Sequence, residues 1–451
     1  VKITRHLTSQ GFPAIPKPFL ALLIAIVVVN GLHSFVPPID YDVLEYHLGI
    51  PAEYHKKGHI FFLPNHMYSN FPQNMEVIAF FYMQLCGKLF GVVSAKTTLL
   101  IYSFALFLGT YQLSLEFMEP KESLLSAFLV YALPWTSELA RIYYVEIPQA
   151  FLLIVCLLLL VSRNIKKNKS LFFLSGLILG TCTGIKYTGL FLGLISIFPL
   201  LLFLKCPIKQ KSTFIGLFLI GFATGFLPWG IRNYIHTSNP IYPLFNRILV
   251  PNAWTELMYI RFLNAHNALN TNIPEIGRSM AEAFLIGRNM SLLHLLLTFP
   301  ALVIFFRKFK SLACFTGVWL ILWIFFTHRI ERFIYLPFIL LCLPMGSVLS
   351  QFLSPFKNRG KQALVALVVI LTFYHHLSLT APKVYDYLIG LQTADELLKE
   401  NLLTYETDEF VNQNIKQPVL MVGEARTFYL DVSVECRDRK STRLNSSHVS
   451  Q

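Results

Sequence analysis

Eleven apolar stretches recur along this chain, most of them near the length of about 17–25 residues that a helix needs to cross a hydrocarbon core of roughly 30 Å. They lie at about 18–36, 96–117, 122–138, 147–162, 171–186, 188–204, 212–231, 291–306, 311–327, 333–350 and 362–380. A backbone that meets lipid must satisfy its own hydrogen bonds, so such stretches become helices. The expected fold is therefore an all-α polytopic membrane protein with about 11 transmembrane helices. Composition agrees: of 451 residues, 54% are hydrophobic and only 14% charged, against about a quarter charged in soluble domains. The net charge of +13 would suit nucleic acid, but the Lys and Arg sit mostly in short loops between apolar runs. That is a topology signal, and no nucleic-acid partner is expected. Seven cysteines are scattered, with Cys156, Cys182, Cys314 and Cys342 inside apolar runs and no CxxC pair. They suggest neither a disulfide framework nor a zinc site.

Positive charge marks the cytoplasmic ends: Lys2, Arg5 and Lys17; Arg163, Lys166, Lys167 and Lys169; Lys205, Lys209 and Lys211; Arg307, Lys308 and Lys310; Lys357, Arg359 and Lys361. Placing all of these inside breaks parity if Met75–Val92 also spans, so that run is read as a juxtamembrane or re-entrant helix. Residues 37–95, 137–146, 232–290, 328–332 and the tail after 380 then lie outside. Residues 1–380 form one membrane module with external loops 37–95 and 232–290, and 381–437 begin a soluble periplasmic α/β segment. Within that segment 393–402 reads as a surface helix and Gln417–Asp431 as a buried strand running into a turn or helix. The chain opens on Val1, and Asp438–His448 reads like a translated sequencing adapter. Residues 438–451 are therefore expected to be an artefact joined to a truncated gene.

Four external positions carry chemistry. Pro37 and Pro38 end the first stretch; in a helix over Asp42–Ile50, Asp42, Glu45 and Tyr46 share a face. An acid at headgroup depth is placed to take a proton from a hydroxyl; ordinary loop solvation is the bland alternative. Glu146, two residues before Pro148, opens the fourth stretch, where the helix dipole favours a carboxylate; simple capping would explain it too. Lys186 stands alone in an external turn against the charge rule, which suits a lipid phosphate or a snorkelling amine. Arg329 and Arg332 would share a helical face, and guanidinium is the preferred fork for phosphate; Glu331 could neutralise one of them. His47, His55, His59 and His66 match no metal-ligand template, so a divalent metal stays an open cofactor with no spacing in its favour. No P-loop, GxGxxG or GxSxG occurs.

The stretches YDVLEYHLGIPAEYHKKGHI, YYVEIP, GIKYTG, NPIYPLFN, ERFIYLP and VGEARTFYLD together resemble bacterial GT-C glycosyltransferases, the integral membrane enzymes related to protein O-mannosyltransferases and aminoarabinose transferases. The resemblance reaches about Val434. It implies transfer of a sugar from a polyprenyl-phosphate carrier to an acceptor hydroxyl on the periplasmic side of the inner membrane, with inversion. It also implies Asp42 as base or acceptor-orienting acid, with Asp40 the alternative, and Glu146 at a second acidic position where Asp is commoner. Lys186 and Arg332, with Arg329, Tyr46 and His47 beside them, would hold the donor. The acceptor could be a lipid, a protein or a glycan. A flippase or transporter would instead gather polar groups at midplane on broken helices. An O-antigen ligase or polymerase would carry a large late loop with Arg/His pairs.

Overall fold

In a computed structural model, the described residues are 13, 16–64, 66–162, 168–202, 204, 206–251, 254–266, 272–286, 290–354, 359–380, 382–422 and 424–437. Lys2, Arg5, Arg163, Lys166, Lys167, Lys205, Lys357 and the tail 438–451, all singled out above, lie outside them. The membrane module is helical: α1 Lys17–His33, α2 Gly49–Lys57, α3 Asn74–Cys86, α4 Lys88–Leu115, α5 Pro120–Tyr131, α6 Pro134–Ile142, α7 Glu146–Val161, α8 Ser170–Thr183, α9 Ile195–Leu202, α10 Ile208–Thr237, α11 Leu292–Lys308, α12 Lys310–Phe326, α13 Tyr335–Leu353 and α14 Arg359–Ser378. Helix thus covers each apolar stretch. Among the described residues, four helical runs are long and apolar enough to cross a membrane: Lys88–Leu115, Ile208–Thr237, Glu331–Leu353 and Gly360–Ser378. The pair α11–α12 passes the same test together and turns through 114° at its junction. Outward-facing Ile101, Phe299, Phe306 and Ile370 are more than half exposed, a surface suited to lipid.

Three details depart from the sequence pattern. The apolar run 75–92 is not one helix: Gly87, at φ +79, ends α3 and starts α4, and α3 folds back along α4. The stretch 122–138 is also two helices. Pro134 has no N–H to continue α5 and takes the first position of α6 instead. The strand expected in 417–431 is β1, Val419–Val422, paired in parallel with β2, Val434–Arg437. It is not buried, since Leu420 is 50% exposed.

The tightest helix pair is α8 with α10. Gly176 and Gly180 face α10, and Gly221 and Gly225 face α8. A Cβ on Gly176 or Gly180 would strike the carbonyl of Phe218 or Phe222, and one on Gly221 or Gly225 the carbonyl of Phe173 or Leu177. Two GxxxG patterns therefore interlock backbone on backbone. Helix α13 runs through the interior, with most of its residues buried. Ser126 of α5 donates to the Leu343 carbonyl at 2.7 Å and Ser347 to Glu122 at 2.7 Å.

After α14 come α15 Pro382–Leu388, α16 Ala394–Asn401 and α17 Tyr405–Asn414. α16 is the expected surface helix, opened by a Thr393/Glu396 capping box. The tail docks on the segment between α1 and α3. Tyr429 donates to the Pro38 carbonyl at 2.8 Å, Lys56 to that of Val432 at 3.1 Å, and the Arg426 guanidinium lies 5.2 Å over the Tyr41 ring.

Candidate active site

Four chain segments end at one place. After α1 and the Pro37–Pro38 break, Asp42 leads into a π-turn, Val43–His47, a one-turn widening often found at functional sites. Glu146 is the first residue of α7. Lys186 follows α8 in the turn before a second π-turn, Gly189–Leu194. Arg332 sits in a 3₁₀ turn, Glu331–Ile334, that runs into α13.

The four side chains alternate in charge. Arg332 Nη2 donates to Asp42 Oδ2, and its Nε lies 3.4 Å from Glu146 Oε1. Lys186 Nζ donates to the same Glu146 oxygen at 2.6 Å. Tyr46, one turn after Asp42, donates to Asp42 Oδ2 at 3.2 Å. Tyr144 lies under the Arg332 guanidinium at 4.4 Å and Phe333 under the Lys186 ammonium at 5.1 Å. Gln149 accepts from Thr188 at 2.7 Å and donates to the Lys186 carbonyl at 3.1 Å, so the basic turn is fixed to α7. Burial grades outward: Glu146 is 4% exposed at its side chain, Lys186 15%, Arg332 17% and Asp42 22%. Charges this far from water are tolerable only in such pairs. Glu146 Oε2 has no hydrogen-bond partner among the described residues. Glu146, Gln149, Thr188, Arg332, Trp319 and Phe333 help line a narrow cleft beside these groups.

The groups outside the apolar helices titrate unevenly. Burial pushes the Asp42 carboxyl up, but the Arg332 guanidinium beside it more than offsets this and holds it below the ordinary aspartate value. Asp40, two residues upstream, is raised to about 6, mainly by burial. The Tyr46 hydroxyl is pushed well above its usual value by burial and then by the Asp42 charge, so it stays a donor. His328 is lowered to about 4, mainly by burial, and is neutral near pH 7.

Asp42, Tyr46, Glu146, Lys186 and Arg332 are thus brought together. Two other residues sit differently. Arg329 lies before the 3₁₀ turn with φ +52, so no helical face is shared with Arg332. Its guanidinium is 3.9 Å from Glu275 and bonds the Ile324 carbonyl. His47, expected near phosphate, is 2% exposed and turned to Glu76, with Nδ1 2.6 Å from Oε1. Gln149, Tyr144, Phe333 and Glu76 were not foreseen. Gln149 is three residues from Glu146 on one helix face, a findable signal, whereas nothing in the spacing links Glu76 to His47. Among the described residues, no three His, Cys, Asp or Glu side chains converge as a metal site.

No protein-family model and no curated protein matches the sequence. Solved structures do match. ArnT from Cupriavidus metallidurans bound to undecaprenyl phosphate superposes with TM-score 0.63 at 13% identity, over 94% of this chain and 86% of that one. Its apo state gives 0.65 at 13%, over 92% and 85%. The archaeal oligosaccharyltransferase AglB from Archaeoglobus fulgidus, in complex with an inhibitory peptide and a dolichol-phosphate, gives 0.53 at 11%, over 93% and 65%. The chain has the GT-C fold, the architecture of these integral membrane glycosyltransferases.

Proposed function

We propose that this protein is a membrane glycosyltransferase that moves a sugar from a polyprenyl-phosphate carrier to an acceptor hydroxyl on the periplasmic face of the inner membrane, inverting the anomeric carbon. The observation that carries this reading is the alternating Asp42–Arg332–Glu146–Lys186 cluster, mounted where four segments leave the helical layer. The fold shared with a protein crystallised with undecaprenyl phosphate supports the class of donor.

In this reading the acceptor O–H gives its proton to the Asp42 carboxylate as its oxygen bonds the anomeric carbon. The bond from that carbon to the phosphate oxygen breaks, and its electron pair leaves with the polyprenyl phosphate. Phosphate is a good leaving group, so the leaving side needs charge stabilisation more than an acid. Arg332 and Lys186 would supply it in a poorly hydrated cleft, where such contacts are strongest. Glu146 would keep both cations in place. Binding would also change the base: a phosphate drawing Arg332 toward itself releases Asp42 from the guanidinium that holds its pKa down. Holding both substrates at one site removes entropy from the barrier.

Membranes containing the protein, incubated with a panel of radiolabelled polyprenyl-phosphate sugars, test the proposal. Label should pass to a lipid, protein or glycan acceptor from at least one donor and fail to do so with Asp42→Asn. No transfer from any donor sinks the reading.

A further inference from the structure

The mechanism above leaves one buried polar pair beside the site without a part. His47 and Glu76 are 2% and 3% exposed and meet at 2.6 Å through Nδ1 and Oε1. Among the described residues, His47 Nε2 and Glu76 Oε2 have no hydrogen-bond partner. An apolar pair of the same volume would serve packing as well or better, and a half-satisfied polar pair is worse still. Stability alone gives no account of it.

Its place in the chain does. His47 is the last residue of the π-turn that Asp42 opens, and Glu76 stands in the first turn of α3. The His47 ring lies 4.2 Å from that of Tyr46, the residue that donates to Asp42. It also meets the Tyr144 ring at 5.8 Å, edge to face, and Tyr144 underlies Arg332. A π-turn packs an extra residue into one turn and has an ordinary helical turn as its near competitor. A slip of one residue would carry Asp42 and Tyr46 off the face that meets Arg332. Among the described residues, the His47 side chain makes one hydrogen bond, and it ties the far end of that turn to a separate helix.

We propose that the His47–Glu76 pair is a positioning device for the transfer reaction, pinning the π-turn to α3 so that Asp42 and Tyr46 are presented to Arg332 and the acceptor hydroxyl in one register. The idea rests on Asp42 being the base of the proposed transferase. Lys186, Glu146 and Arg332 come from other segments, so donor binding should survive loss of the pair while turnover does not.

The test uses the full chain with His47→Gln and, separately, Glu76→Leu, which removes the acceptor for Nδ1 and serves if the first variant fails to fold. A positioning role gives a fall in kcat of about 100-fold, the scale of a misplacement near 1 Å, with affinity for undecaprenyl phosphate unchanged. In an Asp42→Asn background the second substitution should cost nothing further, because residues acting as a unit are not additive. Hydrogen–deuterium exchange should quicken over residues 41–50 and stay as in the wild type elsewhere. A loss of carrier affinity and protection across the whole molecule would reduce the pair to a structural contact and overturn the proposal. Unchanged exchange over 41–50 would overturn it as well. That arm needs no turnover, so a wild-type protein inactive toward every donor sinks the transferase reading and leaves exchange to judge the pin.

Discussion

Arg332 serves two acids at once, and its choice between them and a phosphate sets the expected pH behaviour. With Arg332 on Asp42, the carboxyl stays ionised to unusually low pH. With the guanidinium drawn to a donor, it becomes a stronger base and protonates earlier as pH falls. The acidic limb of kcat, which reports the enzyme–substrate complex, should therefore lie at higher pH than that of kcat/KM, which reports the free enzyme. A free-enzyme limb near pH 6 that vanishes in Asp40→Asn would give the base to Asp40 instead, because burial holds that carboxyl at about 6. Asp42→Asn should cost about 10²–10⁴-fold in turnover, the usual worth of a positioned base, in a protein that still inserts. Arg332→Lys keeps the charge and loses the fork. Affinity for undecaprenyl phosphate should fall roughly tenfold, the equivalent of one charge-assisted hydrogen bond of about 1.5 kcal/mol; unchanged affinity would remove Arg332 from the donor site. At this scale the sequence was informative where cations fell outside the basic loops, as Lys186 and Arg332 do, and the structure brings these two together. It misplaced Arg329, expected on one helical face with Arg332: the backbone there takes a positive φ that no local residue pattern announces, and the guanidinium lies near Glu275.

Between residues and fold stand the helices, and there the glycines decide. The α8–α10 contact is backbone against backbone at Gly176, Gly180, Gly221 and Gly225. Gly180→Val or Gly221→Val should force the pair apart and lower stability by about 1–3 kcal/mol or more, read as a drop in melting temperature in detergent. Gly216 lies on α10 with nothing within 4 Å of where a Cβ would stand. Gly216→Ala should be neutral or mildly stabilising, by up to about 1 kcal/mol from helix propensity. Equal losses at Gly216 and Gly221 would sink the interlock. The two GxxxG patterns were in plain view in the sequence, but spacing alone does not say which helix answers which. Breaks were harder to read. Pro134 and Gly87 each end a helix inside an apolar run, where hydropathy averages smoothly across the junction.

For the molecule as a whole, apolar run length gave the helical membrane fold, since lipid leaves the backbone little else to do. What it could not give was assembly: Asp42 and Arg332 are 290 residues apart in sequence and touch. Lys310, the first residue of α12, lies at the opposite end of that helix from the turn that carries Arg332. Cysteines placed at 42 and 332 should accordingly be labelled from one side of the membrane and a cysteine at 310 from the other. Labelling of 42 and 332 from opposite sides would dismantle the site.

The alternating acids and bases have one more consequence, for biogenesis. Each charge is paired with a partner from a distant stretch of the chain, from residue 42 through 146 and 186 to 332. A single inverted helix would strand a partnerless ion at the edge of the hydrocarbon, at a cost of about 3–5 kcal/mol for a broken buried pair. The cluster is therefore expected to favour the one threading that unites it, and Glu146→Ala should reduce the yield of correctly threaded protein before any assay of chemistry begins.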